Sequence, residues 1–118
     1  VNMHEMALMG DILNIVLEDA HKKDIKKIQK IELLVGELSN AMPDALTMAF
    51  SIYKEQNTHV FTNNAALFIE KEEAISQCIF CDTTYKPDTK ISICPSCSMP
   101  AGKLISGETF QVISYEGE

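Results

Sequence analysis

The sequence predicts an α+β fold: two helices and a three-stranded sheet, with a small cysteine-centred module inserted before the last strand. Three observations carry the prediction. Two stretches repeat apolar residues at helical spacing, and stretches of period two follow each of them. All four cysteines fall in one segment, Cys78-Ile-Phe-Cys81 and Cys94-Pro-Ser-Cys97, with twelve residues between the pairs. A length of 118 residues suits one compact domain or two small ones.

The elements follow in order. Residues 4–22 place Met6, Met9, Leu13, Val16 and Ala20 on one helical face, flanked by Leu8, Ile12, Ile15 and Leu17. His21, Lys22 and Lys23 end that helix, where cations oppose its dipole. Residues 28–38 alternate, with Ile31, Leu33 and Val35 on one face and Glu32 and Leu34 on the other, and Gly36 marks a bulge or a close approach. Pro43 suits the first position of a second helix, with Asp44 in its first turn and Leu46, Ala49, Phe50 and Tyr53 at helical spacing to about Glu55. Asn57-Thr58 ends it. Asn63-Asn64 reads as a turn and residues 66–75 as a strand. After the cysteine segment, closed by Pro100-Ala101-Gly102, residues 109–115 form the last strand. The domain division read this way is 1–75 plus 104–118 for the α+β domain and 76–103 for the inserted module.

Two C-x-x-C pairs at this separation are the sequence form of a tetrahedral thiolate site. Each turn lets two sulfurs converge at about 2.3 Å from one ion. The linker from Asp82 to Ile93 is long enough to fold back as a hairpin. Few large apolar residues lie nearby (Ile79, Phe80, Tyr85, Ile91, Ile93), so a metal is a plausible substitute for a core. Zn²⁺ is the expected ion, in a closed structural site of zinc-ribbon type. A rubredoxin-like iron site and a pair of disulfides are the alternatives.

Net charge is −7 and every basic residue is lysine, which counts against nucleic-acid binding through arginine forks and a basic surface. Lys22, Lys23, Lys26, Lys27 and Lys30 crowd together and read first as a solvated helix end. No apolar run reaches the roughly 20 residues that cross a bilayer, and no signal-peptide pattern opens the chain. The expected compartment is the cytoplasm, where thiols stay reduced. Motifs of hydrolases, nucleotide-binding loops and metalloproteases are absent, so no enzymatic activity is expected. Six methionines invite a copper reading, but Met6, Met9 and Met48 fall at helical positions suited to core filling.

Met3-His4-Glu5 is the second constellation. A terminal amine, backbone amides and an imidazole can surround one ion in a plane, a nitrogen set that favours Ni²⁺ or Cu²⁺. Glu5 would accept a hydrogen bond from the imidazole. The competing reading is a helix-starting His-Glu pair, with the carboxylate at the positive end of the dipole. A three-residue motif alone favours that simpler reading. His21 and His59 have no second ligand at helical spacing and read as surface residues.

Taken together, Met3-His4-Glu5-Met6-Ala7-Leu8-Met9, Val35-Gly36-Glu37-Leu38-Ser39, Pro43-Asp44-Ala45-Leu46 and both C-x-x-C pairs resemble the HypA/HybF family of hydrogenase maturation proteins. The likeness runs over essentially the whole chain. It implies a nickel metallochaperone whose nickel site maps onto Met3, His4 and Glu5, and whose structural zinc ligands map onto Cys78, Cys81, Cys94 and Cys97. It also implies the nickel GTPase HypB and the [NiFe]-hydrogenase large subunit as partners, urease accessory proteins in some organisms, and a monomer or homodimer. The family motif starts at the initiator methionine, whereas Val1 and Asn2 precede Met3 here. Either Met3 is the functional terminus, which is the favoured reading, or Val1 and Asn2 stay on the chain and Val1 or another donor replaces the lost amine; the intact mass of protein from its native host separates the two. The reading from another class is a zinc-ribbon protein-interaction module that carries no transported metal.

Overall fold

A computed structural model describes residues 3–87 and 93–118. Val1, Asn2 and Ile91, singled out above, lie outside the described residues, as does the rest of 88–92. The fold is α+β, with two helices and two three-stranded sheets among the described residues. The chain divides into two compact units, Val1–Leu34 with Ala41–Glu70 and Gln111–Glu118, and Val35–Asn40 with Lys71–Phe110.

The first unit begins with helix α1, Met3–Lys22. Its buried residues are Glu5, Met9, Ile12, Leu13, Val16 and Ala20; of the predicted stripe Met6 is only half-buried, and Ile12, placed on the flank, turns inward. The helix stops in a Schellman motif: Ile25 N donates to Ala20 O and Asp24 N to His21 O, with Asp24 at φ 61° where glycine is commoner. Strand β1, Ile28–Gly36, buries Ile31, Leu33 and Val35, as its alternation predicts, and also Ile28, which is out of phase with them. Helix α2, Pro43–Gln56, starts with proline and buries Leu46, Ala49 and Phe50. Met48 is 55% exposed, which corrects its assignment to the core. It falls between the positions that define the buried face.

Strand β2, Phe61–Glu72, starts earlier and ends earlier than predicted. Asn63 and Asn64 are strand residues, not a turn. The sheet order is β2-β1-β6, so β2 is an edge strand, where polar side chains meet water at little cost. Lys54 Nζ from α2 donates to Asn63 O at 2.9 Å and Ala65 O at 3.0 Å. Carbonyls two residues apart in a strand point the same way, so one lysine reaches both. Ile28 N donates to Val60 O at the start of β1, and Glu37 N to Glu72 O just past its end, so β1 and β2 run parallel across α2. Strand β6, Phe110–Gly117, is antiparallel to β1, with Glu118 N donating to Lys27 O. Phe50 and Phe61 meet edge to face at 5.6 Å and lock α2 onto β2. Tyr53 of α2 donates to Met6 O at 3.0 Å, and Gly10 leaves room for it. The lysine cluster is largely surface-paired: Lys23 with Asp19, Lys26 with Asp24 and Lys30 with Glu32.

The second unit holds a sheet of order β4-β3-β5, from β3, Ile75–Cys78, β4, Thr84–Tyr85, and β5, Gly102–Ser106. Sequence patterning does not announce this sheet, because its strands have two to five residues. Three backbone segments cross at two glycines. A Cβ on Gly36 would lie 2.1 Å from Gly107 O, and one on Gly107 2.7 Å from Ala74 Cα. Gly107 also sits at φ 115°. Two carboxylates tie the crossing. Glu37 accepts from Ala74 N and Lys86 Nζ, and Glu72 accepts from Gly107 N and from the amide and hydroxyl of Thr109.

Candidate metal centre

Each cysteine pair sits in a turn of the same construction, sixteen residues apart. In the first, Asp82 N donates to Cys78 O at 3.0 Å and Cys78 N to Thr83 O at 2.9 Å. In the second, Ser98 N donates to Cys94 O at 2.9 Å and Cys94 N to Met99 O at 3.0 Å. Asp82 and Ser98 both have positive φ, 61° and 60°, which closes each turn. The amides of Thr83 and Met99 point at the sulfurs of Cys81 and Cys97.

The two turns bring all four sulfurs within 4.8 Å of one another. Cys78 and Cys97 sulfurs are 3.5 Å apart, Cys81 and Cys94 3.6 Å. Thiolates bound tetrahedrally at about 2.3 Å stand about 3.8 Å apart, so the quartet fits a zinc ion. Disulfides, the alternative left open above, would need sulfurs about 2 Å apart. All four cysteines are free thiols here.

The four sulfurs are not equivalent. Cys78 and Cys94 are fully buried, Cys97 is half-buried, and Cys81 faces solvent. The Thr83 hydroxyl, 3.2 Å away, and then the Thr83 amide draw the Cys81 thiol down to about 6 in the metal-free quartet. The Met99 amide acts the same way on Cys97, but Cys78, burial and the other two sulfurs outweigh it and push that thiol up to about 12. Of these two thiols, Cys81 is therefore the one held toward the thiolate form. Thr83 and its neighbour Ser96, whose hydroxyls lie 3.4 Å apart, were not legible as site residues from motif spacing. Aligning Cys78–Thr83 with Cys94–Met99 would have isolated Thr83 as the odd member of the pair.

At the other end of the chain, Met3 and His4 are exposed in the first turn of α1. Glu5 is only 2% exposed. Its Oε2 accepts from Met42 N at 3.4 Å, at the start of α2, and its Oε1 is buried with no partner among the described residues. Met42 is the N-cap of α2 and supplies no side-chain cap, so Glu5 provides the capping carboxylate from another helix. Among the described residues the cysteine quartet is the one group of three or more His, Cys, Asp or Glu side chains with converging ligand atoms. Among these residues, too, no helix is long and apolar enough to cross a membrane.

A family model described as "Hydrogenase/urease nickel incorporation, metallochaperone, hypA" matches residues 3–117. Hydrogenase maturation factor HypA of Moorella thermoacetica is 33% identical over 116 residues, covering 98% of this chain and 100% of that protein. The same factor of Lawsonia intracellularis is 35% identical over 121 residues, covering 98% and 100%. Among solved structures, the solution structure of the Ni metallochaperone HypA from Helicobacter pylori shares the fold, with a TM-score of 0.64 at 21% identity over 96% of each chain. A second HypA solution structure gives a TM-score of 0.68 at 23% identity, over 100% of this chain and 98% of that one.

Proposed function

The chain belongs to the HypA family of nickel metallochaperones, and on that premise we propose that it binds Ni²⁺ at Met3-His4-Glu5 and delivers it during [NiFe]-hydrogenase maturation. Its structural Zn²⁺ sits in the Cys78, Cys81, Cys94 and Cys97 site. The observation that carries the nickel reading is the placement of His4 in an exposed first turn of α1, beside a buried Glu5. The first amides of a helix have no intrahelical acceptor. The backbone nitrogens around His4 can thus serve a cation without breaking the helix ladder. No other side-chain cluster competes for a second ion among the described residues. Glu5 supports the site by holding the start of α1 against the start of α2.

Zinc supplies a redox-inert cross-link between the two cysteine turns. The residues around it hold the turns closed through the paired amide–carbonyl bonds. Nickel, by contrast, is cargo. One imidazole and a few backbone donors at an exposed end bind an ion that a competing ligand set can take away. The recipient is the hydrogenase large subunit, reached with the GTPase HypB, and in some organisms the urease accessory proteins. The working compartment is the cytoplasm, where the quartet stays reduced. Ligand nitrogens must shed protons to bind, so acid favours release.

Native mass spectrometry of the zinc-loaded protein titrated with Ni²⁺ tests the assignment. Wild type should take up nickel stoichiometrically while keeping one zinc. His4→Ala should lose nickel uptake and keep its zinc and fold. Unchanged nickel uptake in His4→Ala would falsify the site, and one zinc with no nickel in the wild type would favour an interaction module.

A further inference from the structure

We propose that Cys81 is the ligand through which the zinc site opens, and that the Thr83 hydroxyl, oriented by Ser96, is the positioning group that restrains it. The inference rests on the quartet holding zinc. Three observations converge on it. Cys81 is the exposed cysteine of the four, Cys97 is half-buried, and Cys78 and Cys94 are buried. The two cysteine turns share one backbone construction, yet the residue after the αL position is Thr83 in the first and Met99 in the second. The added hydroxyl lies 3.2 Å from Cys81 Sγ and 3.4 Å from Ser96 Oγ, which belongs to the other turn.

A hydroxyl has one proton to give and two lone pairs to receive with. With Cys81 as a thiol, its sulfur donates to Thr83 Oγ1 and Thr83 Oγ1 donates to Ser96 Oγ; facing a thiolate, the Thr83 hydroxyl instead turns its one proton to sulfur and leaves its lone pairs to Ser96. The chain Ser96–Thr83–Cys81 then links both turns and ends on the most exposed of the four ligands. A charge-assisted hydrogen bond draws electron density from the sulfur, which steadies it as a zinc ligand and blunts it as a nucleophile. Soft electrophiles are the chemical class that would find this position. The Cys81 sulfur attacks the electrophilic carbon with its own lone pair, the leaving group departs with its bonding pair, and the resulting thioether would be a weaker ligand for zinc than the thiolate. No proton and no redox partner is needed.

The test uses the full-length, zinc-loaded protein and limiting iodoacetamide. Native mass spectrometry counts zinc, and peptide mapping locates the first carbamidomethyl group as iodide leaves. The first adduct should fall on Cys81. Thr83→Val should react there about tenfold faster, from the usual worth of a hydrogen bond to a charged group. Thr83→Ser should match the wild type, and Ser96→Ala should lie between. A first adduct on any other cysteine, or equal rates in Thr83→Val and wild type, overturns the proposal. If Thr83→Val fails to hold zinc, Ser96→Ala against wild type decides, and equal rates there overturn it. Wild-type protein that carries no zinc refutes the zinc reading itself; one zinc with an adduct elsewhere refutes only the role of Cys81.

Discussion

Glu5 shows how much a single carboxylate can do when it is buried. The sequence places it beside His4 and offers two roles, a partner for the imidazole or a charge at the start of α1. The structure adds a third: Glu5 Oε2 accepts from Met42 N and so caps α2, whose own N-cap residue has no polar side chain. An acceptor and a negative charge at that position both suit the exposed amides of the first turn. Replacing Glu5 by alanine removes the cap and leaves a small cavity in a site with 2% exposure. Glu5→Ala should cost about 1–2 kcal/mol, read as a lowered midpoint in thermal unfolding with zinc held constant. Glu5→Gln, which keeps an acceptor for Met42 N, should recover part of that loss. A Glu5→Ala protein as stable as wild type would remove the capping role.

At the scale of elements, the long periodic segments were legible in the sequence and the short ones were not. Helices α1 and α2 and strand β1 each bury a stripe that their spacing names. Strand β2 misled because Asn63-Asn64 looks like a turn, whereas an edge position and the Lys54 ammonium make asparagines acceptable in a strand. The end of α1 hid its cap because Asp24, not glycine, takes the αL position. Glu37 and Glu72 could not be read at all, since their partners Lys86, Ala74, Gly107 and Thr109 lie 35 to 49 residues away. Their chemistry has a consequence for acid stability. Lys86 and the Ala74 amide hold the Glu37 carboxyl below its usual range, and the Gly107 amide and Thr109 hydroxyl do the same for Glu72. A carboxyl whose folded pKa is depressed binds protons more readily when unfolded, so its stabilisation is present above the usual carboxylate range and fades as pH falls through the folded value. Thermal midpoints should therefore drop on acidification below about pH 4.5, and Glu72→Gln should lower the midpoint at neutral pH while flattening that acid limb. A variant whose acid limb parallels the wild type would show that Glu72 is not part of the clamp.

On the scale of the whole molecule, the division of labour follows from where apolar volume is available. The sequence set the module boundaries at 75/76 and 103/104, from the cysteines outward. The compact units change hands at Glu70/Lys71 and Phe110/Gln111, and the second unit also takes Val35–Asn40. That short segment is joined to the second unit by Leu38 N to Gly107 O and by Glu37, contacts that no local pattern encodes. The quartet itself was fully legible, because ligand spacing is a local property. The first unit buries Met9, Ile12, Leu13, Ile31, Leu33, Leu46, Phe50 and Phe61. The second buries few apolar side chains among its described residues, Val35, Ala74, Pro87 and two cysteines, while Ile79, Phe80 and Ile93 are each more than 60% exposed. Burial of so little apolar area does little to offset the entropy of ordering its strands, and a metal held by the quartet would supply the difference. Chelating the zinc should then remove hydrogen-exchange protection across β3, β4 and β5 and leave α1, α2 and β1 protected. The experiment compares zinc-loaded and chelated protein by peptide-resolved exchange, under reducing conditions so that freed thiols cannot oxidise. Protection that persists in Ile75–Cys78 and Gly102–Ser106 after zinc is gone would mean that this unit holds itself together. Protection lost equally from α1 and α2 would mean that the two units do not unfold separately.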